Sequence, residues 1–240
     1  MKNRFYVYAT QNESVTLPES ITSENFEIKH ISIPQTWYSI ISGYNNEILF
    51  NEGGPNLTAT IVSGFYETTA EICGAIKVAL EAAGALTYTV TYSNITKLFT
   101  IAASANYRLM FASQTNPNIL DVIGFLEADY AVNTSFTATY AGRLVPFDDL
   151  YLHIKEFRDI NNFITNIDKR ITYLVPITGV PAMISRFGEN SQYNDTINTE
   201  KTRLDKVTLQ VYHPTRDGHS RVLDLHGGKI SIVIESSYLI

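Results

Sequence analysis

The side chains able to do chemistry are few: one cysteine, five histidines and some closely spaced acids. Cys73 follows Ile72 in a stretch with apolar residues at helical spacing. That spacing sets the thiol beside a buried face, where it acts as a small packing group rather than a nucleophile. Asp148 and Asp149 are adjacent after Pro146. Paired carboxylates for acid–base work must share a side, and neighbours in a strand point to opposite faces, so a turn role is expected. His213 and Asp217 bracket a hairpin and could meet across it. His219 and His226, with Asp224 between them, could lie at one end of a sandwich, but the set has no fixed metal-ligand spacing. Gly227-Gly228-Lys229 suggests phosphate only superficially, since no helix opens after it and a β-turn explains it. His30 and His153 fall in separate predicted strands, which argues against the clustered His/Glu set of a cupin-like enzyme. No Gly-x-Ser-x-Gly, Walker loop, His-Glu-x-x-His or Gly-x-Gly-x-x-Gly occurs. The expectation is a chain with no catalytic, cofactor-binding or metal-binding residues, not an enzyme.

The elements that would position these residues are mostly strands. Residues 4–9 read as one. Residues 26–33 alternate from Phe26 to Ile28 and then slip phase, which predicts a bulge or a change of burial before Pro34 ends the strand. Trp37-Tyr38 is expected at the sandwich rim. Residues 48–50 and 57–62 are strands around Gly53-Gly54-Pro55. Thr68-Thr69-Ala70-Glu71 is a capping box, opening a helix with Ile72, Ile76, Ala79, Leu80 and Ala83 on one face and ending at Gly84. Leu86, Tyr88, Val90 and Tyr92 keep period two, and a turn at residues 93–96 leads into a strand over 97–102. A third strand is expected over 107–111. Asn116-Pro117 caps a short helix, 118–123, stopped by Gly124-Phe125.

Beyond that point, strands are predicted over 134–140, 150–154, 171–176, 182–187, 207–212 and 229–235. Residues 158–168 are polar and loop-like, and Asp217-Gly218 and Gly227-Gly228 mark tight turns. This spacing suggests an antiparallel sandwich.

Composition sets the outer limits. With 240 residues, 45% hydrophobic and a net charge of −6, the chain is globular rather than disordered. A single Cys excludes a disulfide scaffold. Eighteen Lys+Arg against twenty-four Asp+Glu leave no cationic footprint for general nucleic-acid binding. The densest basic stretch, residues 216–221, reads as a solvated turn. No apolar run is long enough for a transmembrane segment, and no signal peptide follows Met1. The Asn-x-Ser/Thr sites at Asn12, Asn56, Asn94, Asn133 and Asn194 are taken as unmodified surface turns. Fifteen Tyr and twelve Phe suit both strands and protein contact surfaces.

Several segments together resemble a family. Phe26-Glu27-Ile28 through Ile33-Pro34-Gln35-Thr36-Trp37-Tyr38-Ser39-Ile40 is similar to the "strand, then Pro-x-x-Trp-Tyr-x-Ile" segment of capsid proteins from virophages, Polinton-like viruses and related large DNA viruses of protists. Gly64-Phe65-Tyr66, Val90-Thr91-Tyr92-Ser93 to Phe99, and Ile123-Gly124-Phe125 resemble them too. Residues 204–234 are similar to their terminal hairpin, with Asp217-Gly218 and then Leu223-Asp224-Leu225-His226-Gly227. Tyr173-Leu174-Val175-Pro176-Ile177 with residues 183–187 fits the preceding strand pair. The chain departs from the pattern at Ser39, where the family often has Asn, and at His-Gly-Gly. The resemblance implies a jelly-roll subunit, penton (vertex) or minor capsid protein, of an icosahedral double-stranded DNA virus.

The expected fold is mainly β, an antiparallel β-sandwich (jelly roll) with an inserted small α+β unit. Residues 1–42 plus 141–240 would form the discontinuous sandwich, and 43–140 the insertion. Two consecutive domains bordering near Gly142 are the alternative. The expected function is structural. The chain would self-assemble as a homo-oligomer, pentamer or trimer, beside a major capsid protein in the virion, after assembly in the host cytoplasm or a viral factory. A receptor- or carbohydrate-binding fibre or spike head is the competing reading.

Overall fold

In a computed structural model, the chain is described over residues 2–114, 118–145, 147–156, 173–177, 184–187, 196–215 and 220–237. Its first and last strands are partners. Strand β1 (Lys2–Thr10) pairs antiparallel with β13 (Lys229–Ser237), with Phe5 opposite Ile234 and Tyr8 opposite Ser231. Alternation decides which side of β1 is buried: Phe5, Val7 and Ala9 face the core, while Arg4, Tyr6 and Tyr8 face water.

Two long strands organise the rest of this sheet. Strand β2 (Ser14–Pro34) pairs along its C-terminal half with β13 and with β10 (Ile184–Phe187), and along its N-terminal half with β11 (Thr196–Pro214). The C-terminal part of β11 pairs in turn with β8 (Asp149–Ile154) and β12 (Ser220–Val222), and β8 pairs with β9 (Tyr173–Pro176). The order β1-β13-β2-β11-β8-β9, antiparallel throughout, is a jelly-roll β-sandwich. Its core includes Phe26, Ile31, Leu150, Leu152, Leu209 and Ile232, each at most 1% exposed.

The phase slip in β2 is a bulge. Ile28 pairs with Ile234 and His30 with Val233, so Lys29 is extra, and Ile28 and Ile31 both stay buried. The N-terminal extension of β2 over 14–25 was not expected from the sequence, which carries Pro18 and few apolar residues there. The ladder tolerates the proline because residues 17–20 loop out between the Thr16–Lys206 and Ile21–Leu204 pairs. Ser20, Arg203 and Asp205 tie this bulge together, with Arg203 Nε 3.1 Å from both Ser20 Oγ and Asp205 Oδ1.

Residues 38–146 form the second compact unit; residues 1–37 with 147–240 form the first. In the second, β3 (Glu47–Asn51), β4 (Asn56–Thr60), β5 (Tyr88–Tyr92) and β6 (Phe99–Leu109) run in the order β4-β3-β6-β5, and β7 (Asn133–Thr137) adds to β6. Helix α1 (Thr69–Ala83) packs on β4 and β5 through Ile72, Ile76 and Leu80. Its capping box is complete: Thr68 Oγ1 accepts from Glu71 N–H, and Glu71 Oε2 accepts from Thr68 N–H at 3.0 Å. Gly84 does end the helix, but in an extended conformation (φ −111°) rather than a left-handed one. A Cβ there would meet the Glu52 carboxylate, so any other residue would require that carboxylate to shift.

The separate strands expected over 97–102 and 107–111 are one strand, β6. Its pairing with β7 is irregular between Ala102 and Tyr107, and the Tyr107 hydroxyl donates to the Ile101 carbonyl (2.7 Å) across that stretch. The 93–96 turn is as expected, closed by Lys97 N–H to Ser93 C=O at 2.7 Å. The short helix α2 (Leu120–Ile123) starts two residues later than expected, with Asn118 Oδ1 accepting from Leu120 N–H. Asn116-Pro117 lies outside the described residues, as do 158–168, 171–172, 182–183, Asn194, Arg216, Asp217-Gly218 and His219. Asn12 and Asn94 sit in turns, whereas Asn56 and Asn133 open strands.

Candidate functional site

Among the described residues, no three His, Cys, Asp or Glu side chains come together as metal ligands. Cys73 is buried in α1 and its thiol is pushed up by burial. Asp148 is exposed while Asp149 begins β8 half-buried, so the pair does not converge. Burial, then the neighbouring Asp148 charge, raises Asp149. His226 Nδ1 lies 3.5 Å from Asp224 in the turn that Gly228 N–H closes onto Leu225 C=O (2.7 Å). His226 and Gly227 adopt the left-handed φ values, 46° and 79°, that such a turn requires. His30 lies on β2 and His153 on β8, strands that are not neighbours. Asp217 and His219, the other members of the histidine sets, lie outside the described residues.

The chemistry available is therefore that of surfaces. The outer side of β1, β13 and β2 is built in register rows. Arg4, Glu235 and Glu27 form the first row, Tyr6, Val233 and His30 the second, and Tyr8, Ser231 and Ser32 the third. In the first, Arg4 Nε holds Glu235 Oε2 at 2.8 Å, and Lys29, displaced by the bulge, pairs with Glu27. Glu235 points outward yet is only 4% exposed. In the third, Lys229 Nζ sits 5.0 Å above the Tyr8 ring. Tyr6 and Tyr8 remain 75% and 64% exposed. The hydrogen-bonded sheet thus presents two large exposed amphipathic rings beside a row of paired charges. The sequence reading placed both tyrosines in a strand but did not single them out. The alternation with Phe5, Val7 and Ala9 was the available signal.

A second constellation lies where the chain leaves the sandwich unit, at Trp37, and where it returns, at Phe147. The Trp37 and Phe147 rings are 5.7 Å apart, and Phe147 stacks on His213 at 4.9 Å with an interplanar angle of 21°. All three are at most 3% exposed. Burial pulls His213 below its usual range; the Pro214 carbonyl, 2.9 Å from Nδ1, opposes this and the Arg221 charge adds to it.

An open cavity of about 270 Å³ is lined by Thr10, Gln11, Asn12, Asp224 and Gly227, among others. Among the described residues, no aromatic side chain lines it.

No family model and no curated protein matches the chain. Among solved structures, the crystal structure of the mavirus penton protein aligns with a TM-score of 0.54 and 10% identity, covering 98% of this chain and 98% of that chain. The chain has the fold of that protein. The likeness extends through the sandwich and residues 38–146 alike, because almost nothing of either chain is left over. A chain in the cryo-EM structure of the Sputnik virophage aligns at 12% identity and a TM-score of 0.48, covering 98% of this chain and 97% of that one. The jelly roll implied by the sequence resemblance is thus the fold observed.

Proposed function

We propose that this chain is a structural subunit of an icosahedral double-stranded DNA virus, a penton or minor capsid protein that works by self-assembly. The observation that carries the reading is the end-to-end likeness in fold to the mavirus penton protein. The outward face of β1, β13 and β2 supports it: a sheet surface with exposed Tyr6 and Tyr8 suits repeated side-to-side contact. Its work is mechanical, and its place is the virion shell beside a major capsid protein. Residues 43–140, the core of the second compact unit, act as an inserted domain that faces outward or grips a neighbour.

Light scattering on the purified chain after size-exclusion chromatography tests this. A closed oligomer, a pentamer or trimer, is the expected result. A monomer at every concentration, with no binding to a capsid partner, would overturn it. The receptor- or glycan-binding reading draws on the cavity beside Asn12 and Asp224. Binding of the isolated chain on a glycan array would favour that reading instead.

A further inference from the structure

Strand β5 stands at one end of the sheet of residues 38–146, paired with β6 alone. On either side of it, Ser104 N–H donates to Thr87 C=O at 2.9 Å and Ser93 N–H to Leu98 C=O at 3.0 Å. The odd-numbered residues of β5 therefore turn their backbone groups toward β6, and Tyr88, Val90 and Tyr92 turn theirs to the open side. Glu81 Oε1 takes the Tyr88 N–H there at 3.0 Å. Among the described residues, nothing bonds the Tyr88 carbonyl or the N–H and carbonyl groups of Val90 and Tyr92.

Unpaired ladder groups recruit other strands, so edges are ordinarily blunted by charge, proline or a bulge. Strand β5 has none of these: it reads Tyr88-Thr89-Val90-Thr91-Tyr92, in unbroken register with β6. That order is the same in both directions. A second β5 laid antiparallel about Val90 sets Val90 against the partner's Val90, Thr89 against the partner's Thr91 and Tyr88 against the partner's Tyr92. The faces agree, since Val90 and Tyr92 are half-buried against the core while Thr89 and Thr91 are exposed. The bonding groups agree too. The Val90 groups exchange bonds with the partner's Val90, and each Tyr92 N–H meets a Tyr88 carbonyl, while Glu81 keeps the Tyr88 N–H. Strand β4, at the other end of the sheet, reads Asn-Leu-Thr-Ala-Thr and has no such symmetry.

We propose that β5 is a docking edge for β5 of a second copy, joined antiparallel across a two-fold axis at Val90 so that the two sheets run on as one. A two-fold contact requires a patch that complements itself, and a palindromic edge strand is one. A strand of five residues makes a weak contact alone and gains strength where many copies are held together. The contact is separate from the outer face of β1, β13 and β2, and it joins chains in pairs whether or not they also close into a ring.

Cysteine pairing across the axis tests this. The full chain is prepared as Thr89→Cys and, separately, as Thr91→Cys; both positions are exposed, so folding is preserved. In the proposed register, position 89 faces position 91 of the partner as a non-hydrogen-bonded pair, with Cα atoms about 4.5 Å apart, inside disulfide range. Mild oxidation of the mixed variants should give a disulfide-linked pair containing one of each, and either variant alone should give far less. Wild type, with only buried Cys73, is the blank. No cross-link in the mixture, or equal yields from the single variants, overturns the proposal. Charge supplies a second arm by sedimentation equilibrium. Thr89→Lys combined with Thr91→Lys sets like charges opposite each other and should weaken pairing by about tenfold. Thr89→Lys combined with Thr91→Glu sets opposite charges together and should restore it. Equal association of the two double variants also overturns the proposal. Loss of the pentamer or trimer would leave the cross-link between pairs intact, so failure of the assembly reading is distinguishable from failure of this one.

Discussion

The Glu52 carboxylate accepts a hydrogen bond from the Tyr88 hydroxyl at 2.8 Å and, with its two oxygens, also takes the backbone N–H groups of Ala85 and Leu86 at 2.8 and 3.2 Å. One side chain thus satisfies the backbone between α1 and β5 and anchors a core tyrosine that stands edge-on to Phe50 and Tyr107. Burial opposes the charge on Glu52, but the donations from Ala85, Tyr88 and Leu86 outweigh it and hold the carboxyl below its usual range. Glu52→Ala is expected to destabilise the chain by about 1–3 kcal/mol in urea unfolding, because the three donors lose their acceptor. The lowered carboxyl contributes stability above about pH 4.5 that is lost as pH falls through the folded value. Glu52→Gln should therefore flatten the acid limb of a stability–pH curve.

Thr68→Ala removes the acceptor for Glu71 N–H. A loss of about 1 kcal/mol is expected by the same measurement, and Thr68→Ser should recover most of it.

Gly124 ends α2 with φ +72°, and a Cβ there would meet the Tyr140 carbonyl oxygen. Gly124→Ala is expected to cost more than the roughly 1–2 kcal/mol of left-handed strain alone, since backbone must also move. A drop in thermal midpoint no larger than that of an exposed surface control would contradict it.

Tyr6→Ser combined with Tyr8→Ser should leave unfolding of the dilute chain within about 0.5 kcal/mol of wild type, because both rings are exposed. If the outer sheet face is the assembly surface, the same pair should weaken the oligomer by about tenfold or more in sedimentation equilibrium. Unchanged association would move the interface elsewhere.

Cys73, buried against Ile76 and its neighbours, should resist a thiol-specific reagent in the native chain and react at once in denaturant. Rapid native labelling would show that α1 opens.

Some of this protein was legible in its residues alone. The capping box of α1, the 93–96 turn and the Lys29 bulge each depend on groups a few positions apart, so local chemistry specifies them. The in-and-out alternation of β1 was legible for the same reason, although nothing local says which partner strand it meets. The packing role of Cys73 was readable from its place in a helical repeat. The fold class followed from strand spacing and from short segments resembling capsid proteins.

Other features took shape only in three dimensions. The N-terminal half of β2, polar and carrying Pro18, is a strand because β11 pairs with it from some 180 residues away and loops out its proline, as in the Ile21–Leu204 pair. The irregular stretch of β6 is spanned by the Tyr107 hydroxyl, which reaches back to the Ile101 carbonyl. The rows that set Tyr6 beside Val233 and His30, and the column that joins Trp37 to His213 through Phe147, bring together residues about 200 positions apart. Hydrogen bonding and stacking act over a few ångströms of space, whatever the distance along the chain. Neighbouring residues could therefore announce turns, caps and alternation, while the pairing of distant strands decided which faces, rows and ring stacks exist.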